Sequence, residues 1–187
     1  MELELLGWPP DGPKLRLDYR RFSYAGKFVM TNTGKAVARA SDDEGDDVLA
    51  AASFNEDRTD ADTLWIRYVT VAKSRRGGGI GPRLLGFVRD RAIERGYDRV
   101  RIAVNNPFAY EALYRTGFRF TGETTGLAEL VLEYSAEGGT NGGKVDDSSE
   151  TTAYSYQETA DYHDGLDLFR ERELSSKEES FLDDRLE

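Results

Sequence analysis

Leu64-Trp65-Ile66-Arg67-Tyr68-Val69-Thr70-Val71 leads, through four residues, into Arg76-Gly77-Gly78-Gly79-Ile80-Gly81, and a helical pattern opens at Pro82. The first eight residues are apolar or aromatic on both alternating faces, which suits a central strand covered on both sides. The glycines that follow remove side chains where backbone amides must approach a ligand, and they permit positive φ. Successive N–H groups at a helix N-terminus, aided by the helix dipole, form a site for pyrophosphate. Arg75, Arg76 and Arg83 add full positive charges. A tight strand-to-helix turn would use the same glycines, so the loop alone leaves a packing role open.

Downstream, Pro82 is expected at a first helical position, with Leu84, Leu85, Val88 and Ala92 as a buried stripe and Gly96 ending the helix. Val100, Ile102 and Val104 alternate with Arg99, Arg101 and Ala103 as a strand, and Asn106-Pro107 turns the chain into a helix that Gly117 stops. Phe118–Thr121 and Leu127–Tyr134 read as two further strands. Upstream, Leu15–Tyr19, Phe28–Thr31, Ala36–Arg39 and Val48–Phe54 read as short antiparallel strands, separated by Asn32-Thr33-Gly34 and the acidic turn Ser41–Asp47. These alternations predict an α+β domain, an antiparallel first half followed by strand, helix, strand, helix, strand, strand.

The chain has 187 residues, 39% of them hydrophobic, enough for one ordinary domain with something attached. It has no cysteine, which removes disulfides and thiolate chemistry, and one histidine, His163, which argues against multi-histidine metal sites; no metal is expected. No apolar run approaches the roughly 20 residues that span a bilayer, and Met1-Glu2-Leu3-Glu4 is acidic where a signal peptide is basic, so a cytoplasmic protein without membrane contact is expected. The net charge of −10 is concentrated: residues 1–135 hold 20 acids and 20 bases, residues 136–187 hold 15 and 5. Nucleic acid is therefore not an expected partner. Residues 1–135 are expected to form the domain, and 136–187, opening on Ala136-Glu137-Gly138-Gly139-Thr140-Asn141-Gly142-Gly143, a disordered acidic tail. Within that tail Ser176-Lys177-Glu178-Glu179 has capping-box spacing ahead of Phe181, Leu182 and Leu186, so a short helix that docks a partner stands beside a solvated tail.

Two familiar nucleotide motifs do not fit the loop. A Walker loop needs Gly-Lys-Ser/Thr where Gly81-Pro82-Arg83 stands, and the dinucleotide fingerprint lacks its third glycine in either register. Arg76-Gly77-Gly78-Gly79-Ile80-Gly81 instead resembles the cofactor motif of the GNAT N-acetyltransferase superfamily, Arg/Gln-x-x-Gly-x-Gly/Ala. Val69-Thr70-Val71 matches the family's hydrophobic-x-Val stretch. Asn106-Pro107-Phe108-Ala109 and Gly117-Phe118, eleven residues apart from asparagine to glycine, match its Asn-x-x-Ala and Gly-Phe landmarks.

The resemblance implies a GNAT-like α+β fold, a mixed central sheet with helices on both faces, in which two central strands splay apart. Acetyl-CoA, as cosubstrate, would lie between them: pantetheine on the backbone around Val69, Thr70 and Val71, pyrophosphate on the amides of Arg76, Gly77, Gly78, Gly79, Ile80 and Gly81, and Asn106 facing the cofactor arm. As a residue type in this pattern Asn106 is equally a turn residue or helix cap. The implied activity is direct transfer of an acetyl group to an amine, small-molecule or protein. Tyr114 is the candidate donor of a proton to the departing thiolate; it lies three residues before Gly117, one position from the family's usual place at Leu113, and an ordinary packed tyrosine is the other reading. Glu56, Asp57 and Glu111 are available carboxylates, and spacing selects none as a base. A non-catalytic acyl-CoA sensor of the same fold is the alternative function, and a homodimer is left open.

Overall fold

The computed structural model describes residues 1–41, 47–137 and 160–185. The chain divides into two compact units, Met1–Ile102 and Ala103–Glu187. The first contains β1 (Glu2–Gly7), β2 (Gly34–Arg39), β3 (Val48–Glu56) and β4 (Thr63–Val71), each antiparallel to the next. β5 (Arg99–Val104), which carries the chain across the boundary, runs parallel to β4 from Thr63 opposite Arg99 to Ile66 opposite Ile102. A parallel neighbour requires a crossover, and α1 (Ile80–Glu94) provides it. The sheet is therefore mixed, as expected.

β4 departs from simple alternation at one place. Ile66 lies opposite Phe54 and Tyr68 lies opposite Ser53, so Arg67 is an extra residue, a bulge. Because side chains alternate with period two, one inserted residue exchanges the faces of all that follow. Val69 and Val71 thereby join the face of their partners Ala52 and Ala50, while Tyr68 and Thr70 take the face of Ser53 and Ala51. The first face receives α1 through its buried stripe of Leu84, Leu85, Val88 and Ala92. Ala36, Ala38, Ala50 and Ala52, all fully buried, leave room for the helix to sit close.

The second face is covered by residues between β1 and β2. Phe28, Val37 and Ala51 form a buried cluster, with Leu6, Leu15, Leu17, Val48 and Tyr68 packed against it. Two expected strands are absent here. Leu15 and Leu17 do point inward, but residues 14–18 join no ladder, and Leu15 N–H donates to Phe28 O at 2.9 Å as an isolated bond. Residues Ala25–Val29 form a 3-10 turn rather than part of a strand. The edge strand is instead Glu2–Gly7, whose alternating Glu and Leu carry the same pattern. Of the acidic turn 41–47, residues 42–46 lie outside the described residues.

Lys35 on β2 ties this cover down. Its buried ammonium donates to the carbonyls of Met30 at 2.5 Å and Thr33 at 2.9 Å and to Thr33 Oγ1 at 3.0 Å, and burial lowers its pKa. Lys35→Met keeps the aliphatic stem and strands buried carbonyls, so we expect a loss of about 1–3 kcal/mol in folding free energy, measured by urea unfolding.

The second unit contains α2 (Pro107–Arg115), an antiparallel pair β6 (Arg119–Thr124) and β7 (Leu130–Ser135), α3 (Ala160–Arg170) and α4 (Ser176–Asp183). The last two helices correct the expectation of disorder over 136–187 wherever that segment is described; residues 138–159, and Leu186, lie outside the described residues. Averaged composition hid a periodic stripe: Tyr162, Leu166 and Phe169, at i, i+4 and i+7, are buried, as is Leu182. Tyr162 and Phe169 pack their rings against Tyr110 of α2 at 5.8 and 5.6 Å, and Phe181 packs against Phe108 at 4.6 Å. The capping box sits one residue earlier than expected, at Ser175 and Glu178. α4 thus docks within its own chain, on α2.

Gly165 is where α3 meets α2 most closely: an added Cβ would overlap the phenol of Tyr110, which is fully buried. In an exposed helix Gly→Ala would stabilise. Here we expect Gly165→Ala to destabilise by about 1–3 kcal/mol through overpacking, read as a lower urea midpoint.

Candidate functional site

β4 ends at Val71, the 3-10 turn Lys73–Arg75 follows, and α1 begins at Ile80 with Gly79 as its N-cap. Gly77 and Gly79 have φ of 83° and 73°, left-handed values that favour glycine, and a Cβ at either would meet nothing within 4 Å. Packing therefore does not require these two glycines; conformation and open space do. Gly81 differs, since its Cβ would touch Val71 Cγ2 at 3.4 Å. The first turn of α1 carries no acidic residue and no side-chain cap, so its leading N–H groups have no side-chain acceptor. Pro82 is the third helical residue rather than the first, still within the turn where its missing N–H costs nothing.

Arg76 folds back along the strand it follows. Its Nη2 donates to Ser23 Oγ at 2.9 Å and its Nε lies 3.4 Å from Val71 O. Val69 and Val71 are half-buried, and Thr70 is buried with its hydroxyl lacking a hydrogen-bond partner among the described residues, as does Ser53 on the same face. An orphaned buried hydroxyl invites a polar ligand or water.

In the second unit Asn106 caps α2: its Oδ1 accepts from Ala109 N–H at 2.9 Å. The capping alternative is thus observed for its oxygen. Tyr114 is buried among aromatic rings, 4.9 Å from those of both Tyr110 and Tyr162. Its hydroxyl donates to Asp161 Oδ2 at 2.8 Å and accepts from Phe120 N–H at 2.8 Å and from Tyr110 at 3.3 Å. Asp161 lies on α3, a segment in which no site residue was anticipated.

The three available carboxylates are all engaged. Glu56 accepts from Tyr97 at 2.7 Å. Asp57 closes its turn through Thr59, Asp60 and Trp65, and these bonds, led by the Thr59 amide, hold its pKa at about 2. Glu111, 6% exposed, bridges Arg115 and Arg185. None stands ready as a base. Among the described residues no helix is long and apolar enough to cross a membrane.

A family model for the acetyltransferase (GNAT) family matches residues 2–118, from β1 through α2. The chain belongs to that family. No curated protein matches at the sequence level. Among solved structures, the GNAT fold is shared with a Bacillus subtilis acetyltransferase in complex with CoA, at 17% identity and TM-score 0.54, covering 71% of this chain and 97% of that one. It is shared as well with an IAA acetyltransferase from Bacillus cereus, at 19% identity and TM-score 0.52, over 72% and 98%. Nourseothricin acetyltransferase aligns at 24% identity and TM-score 0.47 over 55% of this chain, which spans 65% of its length.

Within this GNAT chain the sequence singled out the loop and β4 but passed over the bulge at Arg67, Ser23 as the partner of Arg76, and Asp161. The bulge leaves no compositional mark. Ser23 and Asp161 are distant in sequence from the groups they hold, 53 residues from Arg76 and 47 from Tyr114.

Burial, above all, raises the pKa of both Tyr110 and Tyr114. Their unfolded counterparts ionise near pH 10, so the stability they confer is intact below about pH 10 and is lost as pH rises toward the higher folded values. We expect the urea midpoint to fall between pH 10 and 11, by up to about 1.4 kcal/mol per group per pH unit, and Tyr114→Phe to flatten that fall while costing about 1–3 kcal/mol at pH 8 by leaving Phe120 N–H and Asp161 without their phenol.

Proposed function

We propose that this GNAT chain binds acetyl-CoA and transfers its acetyl group to the nitrogen of an amine, small-molecule or protein. The observation that carries the reading is the open glycine turn at Gly77–Gly79, side-chain-free, with left-handed φ at two positions and an uncapped helix start behind it. In the proposal the amides of Arg76 through Gly81 hold pyrophosphate, the backbone of Val69–Val71 beyond the bulge pairs with pantetheine, the orphaned Thr70 hydroxyl is a further polar partner, and Asn106 offers its amide nitrogen to the cofactor arm. The B. subtilis protein, alike in fold, is in complex with CoA, which supports an acyl-CoA as the ligand.

Acetyl-CoA supplies an activated thioester. In the transfer, the amine lone pair attacks the thioester carbonyl, a C–N bond forms, the C–S bond breaks, the amine gives up one proton and the thiolate gains one. Tyr114 is the proposed donor to sulfur, on condition that Asp161 releases its hydroxyl. With Glu56, Asp57 and Glu111 engaged, the proton of the amine leaves to water. The commitment of both Tyr114 and the carboxylates also favours a second reading, a non-catalytic acyl-CoA sensor. A cytoplasmic setting, without nucleic-acid or membrane partners, completes the proposal.

Gly78 separates ligand from fold, because it has an ordinary φ and its Cβ would make only an ordinary 3.6 Å contact with Arg75 O. We expect Gly78→Val to weaken CoA binding at least tenfold in calorimetry with an unchanged urea midpoint; unchanged binding removes the loop as the pyrophosphate site. Thiol release from acetyl-CoA with a panel of amines decides between enzyme and sensor. Tyr114→Phe, assayed where it is folded, should lower turnover tenfold or more, and unchanged turnover leaves Tyr114 a packing residue.

A further inference from the structure

The first unit has a shallow, wide-open surface cavity of about 470 Å³ lined in part by Tyr19, Phe22, Ser23, Tyr24, Lys27 and Lys73. This volume is in the range that takes a small molecule. It borders the strand and loop discussed above. Lys73 opens the turn between β4 and the glycine loop, its N–H bonded to Arg21 O at 2.9 Å, and Ser23 accepts the hydrogen bond of Arg76. On the other side the ring of Tyr24 lies 5.8 Å from Tyr68 of β4, and the Lys27 ammonium lies 5.7 Å from the same ring.

Three properties of these walls point to one kind of ligand. First, they are aromatic and wet: Tyr19 and Tyr24 are 72% and 57% exposed and so keep apolar ring surface that a ligand can cover. Second, Tyr24 is held at φ 59°, in the left-handed region that a tyrosine rarely adopts, and such strain gathers where a side chain must be aimed. Third, the wall is cationic. No lining residue is acidic, and neither Lys27 nor Lys73 forms an ion pair among the described residues. Two lysines in the wall of one cavity repel a multiply charged amine and attract an anion.

We propose that this cavity receives the acceptor, and that the acceptor is a small amine carrying a carboxylate or comparable anion beside an aromatic or apolar body, rather than a polyamine. The inference rests on the acetyl-transfer reading and narrows its substrate class. The anion sits between Lys27 and Lys73, the apolar body lies on Tyr19 and Tyr24, and the uncharged form of the amine faces β4. The anion-binding chemistry has a second potential source, the 3′-phosphate of CoA, which the test must separate.

The probes are L-phenylalanine, L-phenylalaninamide and spermidine, with acetyl-CoA and dephospho-acetyl-CoA. We expect kcat/KM for phenylalanine to exceed that for phenylalaninamide and for spermidine at least tenfold, and Lys27→Glu with Lys73→Glu to bring the first ratio to about one. Equal rates for acid and amide, or a faster amide, overturn the proposal. If the charge reversals instead raise KM for acetyl-CoA and not for dephospho-acetyl-CoA, the cavity holds the nucleotide phosphate and the proposal is overturned. Calorimetry needs no turnover and keeps the two readings apart. Were no amine acetylated, phenylalanine binding at least tenfold tighter than its amide, lost in the double variant, would sustain the anionic pocket while acetyl transfer failed; equal binding would overturn the pocket too.

Discussion

One inserted residue, Arg67, decides which side chains of β4 face which layer. Without it Tyr68 and Thr70 would continue the face of Leu64 and Ile66, and a phenol and a hydroxyl would meet α1. With it, Val69 and Val71 lie toward the helix, and Val71 can touch the first turn of α1 at Gly81. Tyr68 is turned to the other face, where Tyr24 and Lys27 meet it. The start of α1 and the aromatic cavity thus meet opposite faces of a single strand segment, and the bulge is what aims its side chains at both.

The second unit is organised by a different device. Tyr110 is fully buried and touches Tyr114, Phe120, Tyr162 and Phe169, so helices α2 and α3 and strand β6 share one ring. Its hydroxyl donates toward the carbonyls of Asp161 and Tyr162, where α3 begins and where carbonyl acceptors would otherwise face a phenol ring rather than water. Glu111 performs the polar counterpart beside it, joining Arg115 of its own helix to Arg185. A net negative segment can therefore fold, because its apolar residues are periodic and one of its own few cations, Arg185, reaches a buried carboxylate of α2.

Much of the site was legible because its constraint is local. The glycine loop, the Val69–Val71 stretch and the stripe Leu84, Leu85, Val88, Ala92 each announce themselves within one turn or one strand. The helix ends at Gly96 and Gly117 are of the same kind, with φ of 94° and 92°. What escaped was non-local or ambiguous in period. Leu15 and Leu17 alternate as a strand does yet find no ladder, while Glu2–Gly7 pairs with β2 and was passed over as an acidic start. The helix over 160–170 escaped because an average over an acidic segment says nothing of spacing, whereas the helix over 176–183 was offered by its capping-box spacing. Tyr114 illustrates the limit most sharply: its position in α2 was evident, but the carboxylate that accepts its hydrogen bond lies 47 residues away.

The four buried alanines of β2 and β3 have a meaning for how this chain can vary. They carry no chemistry, yet they set the depth at which α1 rests and hence the direction in which its N-terminal amides point. A methyl group added at Ala36 or Ala52 would tilt a lever whose far end is Gly79. Sites of this kind tolerate polarity and charge on their exposed rims while holding a strict ceiling on size beneath the helix. Selection on the proposed phosphate binding would therefore be recorded as silence at positions far from the glycine turn.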